Sequence, residues 1–255
     1  MGAFLAALHF LTIVPAPGDH QPPDVDWWRA TGWYPVVGLL LGGVLAGLDW
    51  GLSLVWPESV AAALILAAWV VLTGALHLDG FVDSCDALLA SVPRARRLEI
   101  LRDVHAGTFG IVGAVLLLLG KYAALASLPA AMRLPGLVLV PALGRWTMAS
   151  AVTIYPYARP GPGLGRKAKA GRGWQPLALA TATALIGCAI TAWAGLGWGA
   201  LAALLLSAAV AFAVAQWMQA RLGGLTGDTY GAICELVEVA GLLLLSGLAY
   251  LELGQ

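Results

Sequence analysis

Seven apolar runs of 18 to 23 residues dominate this sequence and leave it few ways to fold. They are Trp33–Val55, Val60–Leu78, Ile111–Leu128, Pro135–Ile154, Pro176–Leu196, Gly199–Met218 and Leu236–Leu253. A helix needs about 20 apolar residues to cross a bilayer, and hydrocarbon admits only helices or closed barrels as spanning structures. Alternating apolar and polar residues would mark a barrel, but these runs are continuous. The expected fold is therefore all-α: a polytopic transmembrane bundle of about seven spans, forming one integral-membrane domain over residues 1–255. Only 11% of residues are charged and mean hydropathy is +0.83, whereas soluble domains carry about 25% charged residues. The first apolar stretch, Met1 to Val14, lacks a basic start and stops at Pro15-Ala16-Pro17. It reads as an interfacial or re-entrant helix rather than a signal peptide.

Small residues four apart, Gly38 with Gly42 and Gly43 with Gly47, suit close helix packing. Trp33, Trp56, Trp174 and Trp198 fall near run ends, where an aromatic belt belongs. Short connections alternate with long ones, so the long segments Asp79–Gly110, Tyr155–Gln175 and Gln219–Glu235 share one side. Ten basic residues lie in the long set: Arg94, Arg96, Arg97, Arg102, Arg159, Arg166, Lys167, Lys169, Arg172 and Arg221. Only Arg133 lies in the short set. The positive-inside rule then predicts that the long loops and the N-terminus are cytoplasmic. Cys85, Cys188 and Cys234 form no Cys-x-x-Cys pair and read as reduced thiols. Net charge is zero, so there is no basic excess to attract nucleic acid.

Chemistry concentrates on that loop side. Asp79, Asp83 and Asp86 stand at i, i+4 and i+7 in His77-Leu78-Asp79-Gly80-Phe81-Val82-Asp83-Ser84-Cys85-Asp86. On a helix they fall within an arc of roughly 60°. Three acids on one apolar-flanked face call for a hard cation with oxygen ligands, and Mg²⁺ is the usual partner of phosphate chemistry. A second acidic set follows the turn Gly223-Gly224-Leu225-Thr226-Gly227-Asp228-Thr229-Tyr230-Gly231, with Asp228 and Glu235 seven apart and Glu238 at the edge of their face. Gly224, Thr226 and Gly227 are candidate substrate contacts, because a glycine-rich backbone can cradle phosphate. Asp79, Asp83, Asp86, Asp228 and Glu235 are the candidate metal ligands. Asp103, beside His105 and paired with Glu99, is a candidate base, a task that Asp83 or Asp228 could also perform. Arg159, Arg166 and Lys167, in a Gly/Pro-rich basic segment, are candidate phosphate contacts. Lys121 and Arg145 lie inside spans and are expected to pair with acids or face a cavity.

Acidic clusters, a glycine-rich turn and basic loops on one side equip the chain to transfer a phosphate-linked group. An ion-coupled transporter would spread its acids across the membrane depth and commonly shows paired repeats, and neither is found here. Taken in order, the motifs resemble the cobalamin-5′-phosphate synthase (adenosylcobinamide-GDP ribazoletransferase) family. The matching stretches are Phe10-Leu11-Thr12-Ile13-Val14-Pro15, Trp33-Tyr34-Pro35-Val36-Val37-Gly38 and Leu76-His77-Leu78-Asp79-Gly80 through Asp86. Arg102-Asp103, Gly107-Thr108-Phe109-Gly110, Arg159, Gly163-Leu164-Gly165 and Gly223 through Glu235 complete the set. The resemblance implies a Mg²⁺-dependent enzyme of the bacterial inner membrane. In that family α-ribazole or its 5′-phosphate attacks adenosylcobinamide-GDP, releasing GMP and forming adenosylcobalamin or its 5′-phosphate. The partners so implied are corrinoid and nucleoside substrates and the lipid bilayer, with oligomeric state left open, a homo-oligomer included. Asp79-Gly80 also looks like a variant of the motif in CDP-alcohol phosphotransferases, but Phe81-Val82-Asp83-Ser84 departs from that family's Asp-Gly-x-x-Ala-Arg pattern. A lipid headgroup transferase is the second reading.

Overall fold

The computed structural model describes residues 2–15, 25–159, 163–171 and 173–253. Its helices are α1 (Ala3–Leu11), α2 (Trp27–Thr31), α3 (Tyr34–Ser53), α4 (Glu58–Leu72), α5 (Leu76–Leu89) and α6 (Arg94–Ile100). They continue with α7 (Thr108–Ser127), α8 (Ala130–Ile154), α9 (Leu164–Lys169), α10 (Gln175–Thr191, prolonged by a π-turn to Leu196), α11 (Gly199–Leu222) and α12 (Gly227–Leu253). Among the described residues the only β-type pairing is an isolated bridge between Tyr157 and Leu225. Helices α3, α7, α8, α10, α11 and α12 are each long and apolar enough to cross a membrane. The expected all-α polytopic bundle is what forms.

Helix α8 is the central post. Although Pro135 and Pro141 lie within it, it is buried along most of its length and packs on α3, α10, α11 and α12. The closest approach is to α3. A side chain at Gly38 would strike Ala142 Cα at 2.6 Å, and one at Gly42 would strike the Leu137 carbonyl. At the end of this seam Arg133 Nε donates to Asp49 Oδ2 at 2.9 Å, with both residues buried. Trp56, Trp174 and Trp198 are exposed at the ends of apolar helices, while Trp33 packs edge-on against Phe4 of α1. The N-terminal stretch is a short helix, α1, resting on α2 and α3.

The second expected span needs correction. The run Val60–Leu78 is not one helix: α4 ends at Leu72, and α5 leaves at 88° to it. Gly74 and Ala75 both take left-handed backbone angles, φ 58° and 55°, which no α-helix can carry through. The acidic motif is helical, as its register predicts, but it does not follow a continuous span. It is the helix α5, laid across the bundle against α7 and α12. Its last carbonyls are held by arginines: Arg97 donates to the Ala87 and Leu88 oxygens at 2.6 and 2.8 Å, and Arg221 to Leu88 at 3.1 Å.

Candidate active site

A cavity of about 490 Å³ opens beside α5, within the size range of small-molecule sites. Several segments converge on it. Helix α5 brings His77, Asp79 and Gly80, and the start of α12 brings Gly227, Asp228 and Tyr230. The segment after α8 adds Tyr157 and Arg159, and the start of α9 adds Gly163, Leu164 and Gly165. Close contact between α5 and α12 depends on Gly80, where a side chain would meet the Asp228 carbonyl at 2.7 Å.

Two backbone bonds set Arg159 beside Asp228. Ala158 N–H donates to Leu225 O and Leu225 N–H to Pro156 O, both at 2.8 Å. The Arg159 guanidinium then donates to Asp228 Oδ2 at 2.5 Å and to Leu101 O at 2.6 Å, while its buried Nε has no partner among the described residues. Across the first turn of α12, Thr226 N–H donates to the Thr229 hydroxyl at 2.8 Å and Thr229 N–H to the Thr226 hydroxyl at 3.3 Å. That reciprocal pair fixes the turn from which Asp228 projects.

Asp83 sits half-buried one turn beyond Asp79 on α5. Its carboxyl is pushed up to about 7, first by burial and then by the negative charges of Asp228, Asp79 and Asp86, with Arg159 pulling the other way. Among the described residues no three His, Cys, Asp or Glu side chains enclose a metal position by themselves. Mg²⁺, however, keeps several waters and is commonly held by one or two carboxylates together with substrate phosphates. Asp79 and Asp228, which line the cavity, and Asp83 beside them are oxygen donors of the class such a cation takes.

The expected site residues divide. Asp79, Asp228, Arg159 and Gly227 line the cavity, and Asp83 adjoins it. Asp86 is turned elsewhere: its carboxylate accepts the amides of Gly107 at 2.7 Å and Gly110 at 2.9 Å and anchors the start of α7. Glu235 is not brought to the cavity. It is buried in the bundle against Lys121 Nζ at 2.6 Å, two turns from Asp228. Asp103 is exposed in the turn after α6 and bonds the His105 ring at 2.7 Å, so it too stands outside the cavity. Its carboxyl is lowered chiefly by that hydrogen bond. Gly224 and Thr226 are buried and shape the turn, while Arg166 and Lys167 are exposed on α9. Pro160, Gly161 and Pro162 of the basic segment, Arg172, and Ala16-Pro17 of the N-terminal stretch lie outside the described residues.

The two cations inside spans pair with acids. Lys121 also reaches Glu238 at 2.5 Å, and Arg145 bonds the other Glu238 oxygen. Arg145 further donates to His77 Nδ1 at 3.2 Å. A guanidinium has no acceptor, so the imidazole proton must sit on Nε2, which is buried and without a partner among the described residues. His77, Tyr34, Tyr157, Tyr230 and Arg102 are cavity residues to which motif reading gave no role. The available signal was position: Tyr157 and Tyr230 each stand two residues from a chosen charge, Arg159 and Asp228.

Residues 3–246 match the family model described as cobalamin-5-phosphate synthase. An adenosylcobinamide-GDP ribazoletransferase of Roseiflexus sp. (strain RS-1) is 38% identical over 248 residues, covering 94% of this chain and 87% of its own. The enzyme of that name from Stutzerimonas stutzeri (strain A1501) is 40% identical over 243 residues, covering 94% and 95%. The one from Desulforamulus reducens is 36% identical over 232 residues, covering 91% of each. No solved structure matches the chain.

Proposed function

Because this chain belongs to the cobalamin-5-phosphate synthase family, transferases of cobalamin synthesis, we propose that its cavity joins adenosylcobinamide-GDP to α-ribazole or α-ribazole 5′-phosphate. The observation that carries the reading is the meeting of Asp79 and Asp228 with Arg159 at one cavity, with Asp83 adjoining them on α5. A pyrophosphate needs cationic donors to hold it and a base for the incoming hydroxyl. Arg159, already oriented by Asp228 and Leu101 O, keeps Nε for a phosphate oxygen. A carboxylate of the α5 pair Asp79 and Asp83 takes the proton of the ribazole hydroxyl. A new oxygen–phosphorus bond forms at the phosphate carrying the corrinoid arm, the bond to the guanylyl phosphate oxygen breaks, and GMP leaves. Asp79, Asp83 and Asp228 would hold Mg²⁺, whose chemistry is to neutralise charge on the phosphates. The loop-rich, basic side of the bundle faces the cytoplasm in this reading, in the inner membrane of a bacterium.

The test uses full-length protein in detergent with adenosylcobinamide-GDP and α-ribazole 5′-phosphate, with Mg²⁺ or with EDTA, assaying GMP and the cobalamin product. Both products should form together and only with the cation. Folded protein that forms neither product removes the reading.

A further inference from the structure

The cavity has two chemically distinct walls. One carries the charges already described. The other is aromatic: Phe10 of α1 stacks on Tyr34 of α3 at 6.2 Å between centroids and 28° between planes, and meets Trp27 of α2 edge-on at 5.8 Å. Tyr157 and Tyr230 also line the cavity, each two residues from Arg159 or Asp228. The charge chemistry does not use it. Two polar atoms of cavity-lining residues are buried with no partner among the described residues: the Tyr230 hydroxyl and His77 Nε2. A buried hydroxyl or imidazole N–H is normally hydrogen-bonded, and leaving one unpaired is costly. Aromatic faces beside a few oriented polar atoms are how proteins hold a flat nitrogen heterocycle.

We propose that the Phe10–Tyr34–Trp27 wall, with the Tyr230 hydroxyl as its polar contact, is the subsite for a planar heteroaromatic base carried by one of the nucleotide substrates. This rests on the reading of the cavity as a nucleotidyl-linked transfer site. The base enters the aromatic end while its phosphate lies toward Arg159. His77, fixed as the Nε2–H tautomer by Arg145, supplies a second donor whose direction does not depend on the ligand. Two bases qualify chemically, that of the ribazole substrate and the guanine of the GDP-linked substrate, and the experiment separates them.

Full-length Phe10→Leu and Tyr230→Phe proteins are compared with the parent in steady state, varying each substrate against saturating amounts of the other. Loss of the stacking ring should raise one KM about tenfold, and loss of the hydroxyl about fivefold. The kcat and the other KM should stay within about twofold. A rise confined to the ribazole substrate assigns the wall to its base, and one confined to the GDP-linked substrate assigns it to guanine. Equal rises in both, or none, overturn the subsite. Equilibrium dialysis of α-ribazole 5′-phosphate and of GMP, each alone, needs no turnover and keeps the two readings apart. Parent protein that binds one of them, more weakly in both variants, upholds the subsite even where no product forms. Product formed at unchanged KM in both variants overturns the subsite and leaves the reaction standing.

Discussion

Helix α12 carries two sets of acids that meet opposite surroundings. At its first turn Asp228 meets Asp79 at a cavity, with Asp83 adjoining; Arg159 bonds one of these carboxylates and the others go without an ion-pair partner among the described residues. Two turns on, Glu235 and Glu238 are buried and meet two whole cations, Lys121 and Arg145. The deeper set is neutralised within the protein and belongs to the architecture. The upper set is short of positive charge, and the Asp83 carboxyl is raised first by burial and then by the acids around it. Sidedness of this kind separates acids that hold helices together from acids that wait for a cationic or phosphate-bound partner.

The comparison breaks first at Asp83. Asp83→Asn should cut transfer by about 10³-fold, roughly 4 kcal/mol of barrier, with membrane insertion unchanged, as read by a product assay on fractionated membranes. Near-normal turnover by that variant would falsify the role given to the upper set. Glu238→Gln should do the reverse. It leaves Arg145 without its carboxylate and should destabilise the bundle by about 3 kcal/mol, seen as a lower melting temperature in detergent, while the surviving folded enzyme turns over at close to the parental rate. Arg159→Lys keeps the charge but loses the guanidinium fork, and kcat/KM should fall about 100-fold.

A smaller effect has the opposite sign. A carboxyl whose folded value lies above its unfolded one stabilises most below about pH 4 and loses that contribution as pH climbs through about 7. In EDTA at pH 8, Asp83→Asn should therefore melt a few degrees higher than the parent, and the difference should shrink toward pH 4. Added Mg²⁺ should stabilise the parent more than the variant. Least affected should be Asp103→Ala, with kcat within about twofold, because the exposed carboxylate bonds only His105 and its turn.

Periodicity and hydropathy made most of the bundle legible, including α3, α7 and α8 within a few residues of their ends. What they missed has particular causes. The break at Gly74–Ala75 lies inside an apolar run, and hydropathy carries no record of a backbone angle. Asp86 shares its helical face with Asp79, yet its partners are amides 21 and 24 residues onward, a distance that spacing along one helix does not register. Glu235 shares a face with Asp228, but seven residues is also about 10 Å of depth, enough to move it from the cavity into the pairing layer of Lys121. Pairing of Lys121 and Arg145 with acids was expected from the cost of lone charges among apolar helices. Which acids, and that His77 would be oriented through Arg145, depended on tertiary contact.

The close seat of Gly80 on the backbone of Asp228 also has a bearing on biogenesis. The two residues are about 150 positions apart in a chain made from its N-terminus. At a translation rate of about 5–20 residues per second, α5 emerges some 7–30 s before the helix that completes it. During that interval the crosswise helix, with its acids, has only the earlier part of the bundle to lean on. The anchoring of α7 by Asp86 is available at once, whereas the contact with α12 is among the last to form. The candidate site is thus a late product of assembly, and chains released before α12 is inserted would carry nearly the whole bundle without the residues that complete the cavity.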